Sequence, residues 1–297
     1  MNVFRPVALI PVYNHHQVID ELLDVLGSLD LPVILVDDGS NELCSRSLDV
    51  SAASHRQASL VRLAKNGGKG AAVISGLYVA DNMNFTHAIQ IDADGQHDLA
   101  AVTDFLDQAH HNPQALVCGY PIYDQTVPLS RLWGRELTNF WVHVNTRSKA
   151  LRDAMCGFRV YPIAPTLQLA QRVALGKRMD FDTEVMVRLY WQGNDSHFVA
   201  TRVTYPADGL SHFDALKDNC RISWMHTRLF LGMLPRIPSL LFRRRTIHWA
   251  QQQEVKGLWG MRLMLLVWRL LGRRAFSWLL YPVVAVYWLI AHRARQA

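Results

Sequence analysis

The chain has 297 residues, half of them apolar and 19% charged, with a formal net charge of +6. That length buries a full core, as one large domain or one domain with an appendage, and the charge suits an anionic partner such as a nucleotide or a membrane surface. The four cysteines (Cys44, Cys118, Cys156, Cys220) lie far apart with no CxxC pair, which excludes a disulfide frame or a zinc site and reads as buried thiols of a reducing compartment.

From the N-terminus, MNVFRPVALIPVYN is broken by Pro6 and Pro11 and lacks a small-residue cleavage site, so no export signal is expected. The apolar run 7–13 reads as a buried strand, and 16–29 has helical spacing. A second strand is expected at 32–38, a short helix at 42–53, a third strand at 58–64 and a helix at 68–82. A fourth strand runs through 85–94, followed by a helix at 98–111 and a fifth strand at 115–121. Such alternation argues for a parallel sheet covered by helices on both faces. Further on, 128–151 has helical character, with Arg131 and Arg135 one turn apart on one face. Residues 179–194 read as a helix with Asp180 and Asp182 at an acidic start and Gly193 near its stop, and 197–206 as another strand.

Ligands of such sheets bind outside the carboxyl ends of the strands. Four polar clusters follow predicted strands: Tyr13 and Asn14, Asp37 to Ser40, Asn66 to Gly70, and Asp92 to Gln96. Turn formation accounts for any one of them. It does not account for four in succession, carrying carboxylates and a lysine, at one sheet edge. The stretch AIQIDADGQHD also sets Asp92, Asp94 and Asp98 within seven residues. Like charges so close raise one another's pKa unless a cation compensates.

A nucleotide carrying a diphosphate makes sense of the set. Asp37 and Asp38 offer acceptors to a base or ribose, and Lys69 in a glycine-rich loop offers charge to phosphate. Asp92 and Asp94 suit one hard divalent ion, Mg²⁺ or Mn²⁺. Zn²⁺ fits less well, because His97 is the only nitrogen donor nearby.

Taken in order, PVYN, VDDGS, NGGKGAAV, DADGQH and CGFRVY resemble the motif set of inverting family 2 glycosyltransferases, closest to the dolichyl- and polyprenyl-phosphate sugar synthases, over roughly residues 6–235. The resemblance implies a GT-A fold, that is, an α/β fold whose mixed, mostly parallel sheet is flanked by helices. It also implies a nucleotide-sugar donor and a divalent metal. By match to those motifs, Pro11, Tyr13, Asn14, Asp38 and Lys69 contact the nucleotide, Asp92 faces the ribose or donor, and Asp94 with Gln96 holds the metal.

The acceptor reading has two branches. A lipid phosphate is already ionised at neutral pH and needs a cationic clamp, for which Arg131 and Arg135 are the candidates. A hydroxyl of a lipid or glycolipid needs a carboxylate to take its proton, and Asp182 and Glu184 in DFDTE stand where many family 2 enzymes place an acidic catalytic motif. The polyprenyl-phosphate branch usually carries an arginine just before its G-x-S motif, whereas YPADGLSHF has Asp208 and no arginine. Motif order favours the polyprenyl phosphate. Two other classes fit less well. A nucleotidyltransferase uses paired acids too, but with a glycine-rich loop near the N-terminus, and the first glycine here is Gly27. A non-catalytic lipid-binding protein has no use for Asp92 beside Asp94. No nucleic-acid partner is expected, since the basic residues gather in an apolar tail.

A boundary is therefore expected near residue 240, with the transferase at 1–240 and a basic, tryptophan-rich helical tail at 241–297. Arg262, Arg269, Arg273, Arg274 and Pro282 interrupt each apolar run before the ~18 residues that suggest a span. The tail is expected to lie in the membrane interface, at the cytoplasmic face of the inner membrane. Residues 248–289 also resemble the start of the lipid A late acyltransferases. The HxxxxD motif of that family does not follow by Ala297, so the expectation is a membrane anchor and not a second enzyme.

Overall fold

A computed structural model of the protein describes residues 3–122, 129–202 and 215–241. The chain divides into two units, Met1–Phe242 and Arg243–Ala297. The basic tail and the segment YPADGLSHF lie outside the described residues, so the expectations placed on them do too.

The first half follows the alternation read from the sequence. Strand β1 (Pro6–Val12) leads to α1 (Ile19–Ser28), β2 (Val33–Asp37) to α2 (Glu42–Ser54), β3 (Ala58–Arg62) to α3 (Lys69–Asn82), and β4 (His87–Gln90) through a 3₁₀ turn at Leu99–Ala101 to α4 (Val102–His111). After β5 (Leu116–Ile122) come α5 (Leu129–Thr146), β6 (Arg159–Pro162), α6 (Ile163–Arg172), α7 (Phe181–Trp191) and β7 (Ser196–Arg202). Helix α8 (Ala215–Met233), a second 3₁₀ turn at Leu234–Arg236 and α9 (Ile237–Leu241) complete it.

The strands form one sheet in the order β3-β2-β1-β4-β6-β5-β7. All pairings are parallel except those of β6, which runs antiparallel to both β4 and β5. Neither β6 nor α6 is marked in the sequence reading. Four buried residues without polar alternation carry little periodic signal, and only the neighbours β4 and β5 define β6 as a strand.

Both sheet faces are covered. Val7 and Leu9 enter the layer built with α3, α6, α7 and α8. Ala8, Ile10 and Val12 enter the layer built with α1, α2 and α4. Two covered faces explain why the strands read as unbroken apolar runs. In register, Val12 stands beside Asp37 and Leu9 beside Gln90, so the β2 and β4 ends open on one edge.

Among the described residues, no helix is long and apolar enough to cross a membrane. Cys44, Cys118 and Cys156 are buried free thiols as expected, whereas Cys220 is exposed on α8.

Candidate active site

The four polar clusters do converge. Asn14, held at φ 57, accepts a bond from the Asn41 N–H at 2.8 Å, and its own N–H donates to Ser40 Oγ. The first cluster is thereby tied to the second. Asp38 ties the second to the third, accepting the N–H groups of Gly67 at 2.7 Å and Gly68 at 2.8 Å. Gly68 has φ +92, and a Cβ there would stand 2.4 Å from Lys177 O, so the loop closes only with glycine. Pro11 lies within β1 and Tyr13 just beyond it, partly exposed on the same rim.

Lys69, the first residue of α3, joins the third cluster to the fourth. Its Nζ sits 2.8 Å from Asp92 Oδ1 and 3.2 Å from Asp182 Oδ2. Burial works against the ammonium charge, but Asp182 and Asp92 outweigh it and push the lysine well above its ordinary pKa. Asp92 responds in kind: burial disfavours its charge, yet Lys69 and His97 hold it far below the usual carboxylate range. A second path joins the same two acids. Gln90 Nε2 donates to Asp92 Oδ1 at 3.1 Å, Tyr161 Oη donates to Gln90 Oε1 at 3.2 Å, and that hydroxyl lies 3.5 Å from Asp182 Oδ1. Lys69, Asp92, Gln90, Tyr161 and Asp182 thus close a ring between β4, β6 and the N-terminal ends of α3 and α7.

Gly157 roofs this ring. A Cβ on it would stand 2.4 Å from Lys69 Nζ and 2.6 Å from Asp92 Oδ2. Arg159, fully buried, gives Nε to Cys156 O at 2.6 Å and Nη2 to Ala154 O at 2.7 Å. Its third nitrogen donates to Asp182 O, which fastens the α7 start to the Gly157 loop. Gly157, Arg159 and Tyr161 fall in the motif CGFRVY, to which the sequence reading gave no individual roles, and Gln90 was not singled out. A glutamine inside the apolar run AIQID was the available signal, because a buried polar side chain needs a partner.

Asp94 is the unbalanced group. Burial and then the neighbouring charge of Asp92 push its carboxyl up, against the Gln96 N–H it accepts at 3.1 Å. Lys69 is committed to Asp92 and Asp182, and among the described residues no Lys or Arg pairs with Asp94. Nor is any set of three His, Cys, Asp or Glu side chains arranged there to hold a metal ion. The donors present are the Asp94 carboxylate and the Gln96 amide, hard oxygens that fit Mg²⁺ or Mn²⁺ once phosphate oxygens or water supply the rest. His97 Nε2 lies 3.4 Å from Asp92 Oδ2, and its ring stacks on Phe158. Asp98, the third acid of the stretch, caps the 3₁₀ turn through the Ala100 N–H.

Several expected site residues stand elsewhere. Asp37 is fully buried, and its oxygens accept from Ser40 N, Ser45 Oγ and Arg62 Nε. Although burial alone raises it, those bonds hold its pKa below the ordinary value. It braces the edge rather than opening onto it. Glu184 is likewise fully buried, accepting Gly176 N at 2.7 Å and Arg188 Nε at 2.8 Å, with Arg228 at 3.2 Å. Only Asp182 of the DFDTE acids reaches the ring. Arg135 pairs with Asp153, whose Oδ1 also accepts the N–H groups of Met155 and Cys156. Arg131 lies on α5, but its side chain is outside the description.

Comparison with known proteins now adds to this geometry. The profile of glycosyl transferase family 2 matches residues 7–177. An uncharacterized protein of Methanocaldococcus jannaschii is 29% identical over 165 residues, covering 52% of this chain and 70% of its own. Mannosyltransferase PcManGT from Pyrobaculum calidifontis, solved with GDP-Man and Mn²⁺, superposes with a TM-score of 0.51 at 14% identity, over 95% of this chain and 80% of that one. S. aureus TarS 1–349 in complex with UDP-GlcNAc gives 0.51 at 14% identity, over 89% and 81%. At such identities the likeness is one of fold, and that fold is GT-A-like.

Proposed function

Since the chain belongs to glycosyl transferase family 2 and is a glycosyltransferase, we propose that it moves a sugar, with inversion, from a nucleotide-sugar donor to a lipid acceptor, a polyprenyl phosphate. The observation that carries this reading is Lys69 held between Asp92 and Asp182, with Asp94 left in need of a cation on the same edge.

Asn14, Asp38 and the backbone of 66–69 shape the nucleoside end of the cleft, with Pro11 and Tyr13 on its rim. Asp94 and Gln96 would hold Mg²⁺ or Mn²⁺, which stabilises the charge of the departing nucleoside diphosphate. In this reading Asp92 faces the donor sugar, and Asp182, held by the same lysine, is the acid available to the incoming acceptor. A phosphate oxygen attacks already ionised and needs only positioning. Such an acceptor resides in a bilayer, so this reading puts the enzyme at the cytoplasmic face of the inner membrane. A lipid or glycolipid hydroxyl is the second reading, favoured by Asp182, since it is the DFDTE acid that reaches the ring and could take a proton there.

The test is transfer by the full chain from UDP-, GDP- and dTDP-sugars with Mn²⁺, to polyprenyl phosphate or to a lipid carrying only hydroxyls. A sugar-phosphate lipid product is expected, and Asp94→Asn is expected to lose Mn²⁺-dependent donor binding. Transfer confined to the hydroxyl lipid, with Asp182→Asn lowering turnover by the 10²–10⁴ typical of a lost general base, moves the acceptor to the second reading. No turnover with any donor rejects both.

A further inference from the structure

Exposed apolar side chains gather on α5 and α8. Trp133 is 76% exposed, Leu137 61% and Phe140 57%, and with Trp141 they repeat at the spacing of one helix face. Helix α8 shows a matching stripe through Trp224 and Leu231, 62% and 59% exposed. Trp141 and Phe230 meet edge to face across the two helices at 6.4 Å, which joins the stripes into one surface. Exposed single apolar residues are ordinary, but a contiguous aromatic patch marks something that covers it.

Charge identifies the cover. Residues 129–153 and 215–241 carry nine Lys or Arg and three acids, with Arg135, Arg221 and Arg228 paired to Asp153, Asp218 and Glu184. Arg147, Lys149 and Arg152 are exposed in the loop that leaves α5. Tryptophan and phenylalanine on a helix face, with cations beside them, suit the boundary between anionic headgroups and acyl chains. A protein partner of ordinary composition would not require that excess of one sign.

We propose that the α5–α8 face is itself a docking surface for an anionic lipid bilayer, in addition to any anchoring by residues 241–297. The inference stands on exposure and charge, and does not depend on the acceptor assigned above. It has a geometric consequence for the cleft. Arg135 of α5 is paired with Asp153 before the Gly157 loop, and Arg228 of α8 reaches Glu184 of α7. The helices that would meet the lipid are therefore tied to the loop before Gly157 and to α7, which carries Asp182.

Cys220 provides the probe, being exposed on α8 while the other three cysteines are buried. The full chain is labelled there with an environment-sensitive fluorophore and mixed with phosphatidylcholine vesicles, with and without phosphatidylglycerol. A blue-shifted, brighter emission is expected only with the anionic vesicles. Trp133→Glu combined with Phe140→Glu is expected to weaken partitioning by about tenfold or more, with nucleotide-sugar binding unchanged. Binding to vesicles without any change at Cys220, or unaltered partitioning of the double variant, means the tail alone docks and overturns the proposal. A probe already blue-shifted without lipid also overturns it, because the protein itself then covers the face.

Discussion

The ends of β2 and β4 each present acids at the same sheet edge, and they have opposite fates. At the β2 end, Asp37 and Asp38 accept from Ser40, Ser45, Arg62, Gly67 and Gly68. The donors there come from the adjoining loop, the start of α2, the neighbouring strand β3 and the loop that follows it. At the β4 end, Asp92 draws on Lys69 at the start of α3, and Asp94 is left with one backbone N–H and a like charge beside it. An acid satisfied by its own surroundings becomes scaffold. An acid whose balance must come from across the cleft, or from outside the protein, becomes a site.

The sharpest way to break this contrast is Gly157→Ala. The added methyl would occupy space now 2.4 Å from Lys69 Nζ and 2.6 Å from Asp92 Oδ2, so the lysine must leave its carboxylates. Displacement of that order costs about 10² in rate. Transfer assays are expected to show that loss, with a lower thermal melt from the broken ion pairs; wild-type turnover would disconnect the ring from catalysis.

Next in size is Glu184→Ala. The buried carboxylate holds Arg188, Arg228 and the Gly176 N–H, and breaking a buried pair costs about 3 kcal/mol or more. Urea denaturation should show that loss. A stable but inactive variant would instead return Glu184 to the catalytic group.

The comparison itself is tested by Asp37→Asn against Asp94→Asn in metal-free protein. Asp37→Asn should cost about 1–2 kcal/mol, discounted because Arg62 is 42% exposed. Asp94→Asn should leave stability unchanged or slightly higher, since it removes a repulsion. Equal losses in both would erase the distinction between scaffold and site.

A pH series gives a reference outside both strand ends. His226, buried between α8 and α5, is pushed down to about 4 by desolvation. A histidine whose folded pKa lies below its unfolded value stabilises the fold above about pH 6.5 and withdraws that support as pH falls towards 4. The expected loss is about 1.4 kcal/mol at pH 5.5, and His226→Gln should flatten it. An unchanged slope would mean other groups set it.

Much of this was legible in order along the chain. Alternating apolar runs and helical spacings placed four polar clusters at one edge, and their convergence follows from parallel strand direction alone. The motif order carried the family. What escaped were relations between distant residues. Asp182 and Glu184 adjoin in DFDTE, yet residues i and i+2 of a helix point to different sides, so one meets Lys69 while the other meets Arg188 and Arg228. Arg135 looked free for an acceptor because nothing in its own helix predicts Asp153, eighteen residues away.

The sequence by itself determined the layered sheet, the edge where chemistry can occur and the residue types gathered there, because burial periodicity and turn chemistry are local properties. Tertiary structure alone decided which acids are balanced by donors within the fold and which are left with a like charge beside them. That choice depends on which donors arrive from other strands and helices. Only the insertion of β6 between β4 and β5, antiparallel to both, brings Tyr161 and the Gly157 loop over Lys69 and Asp92.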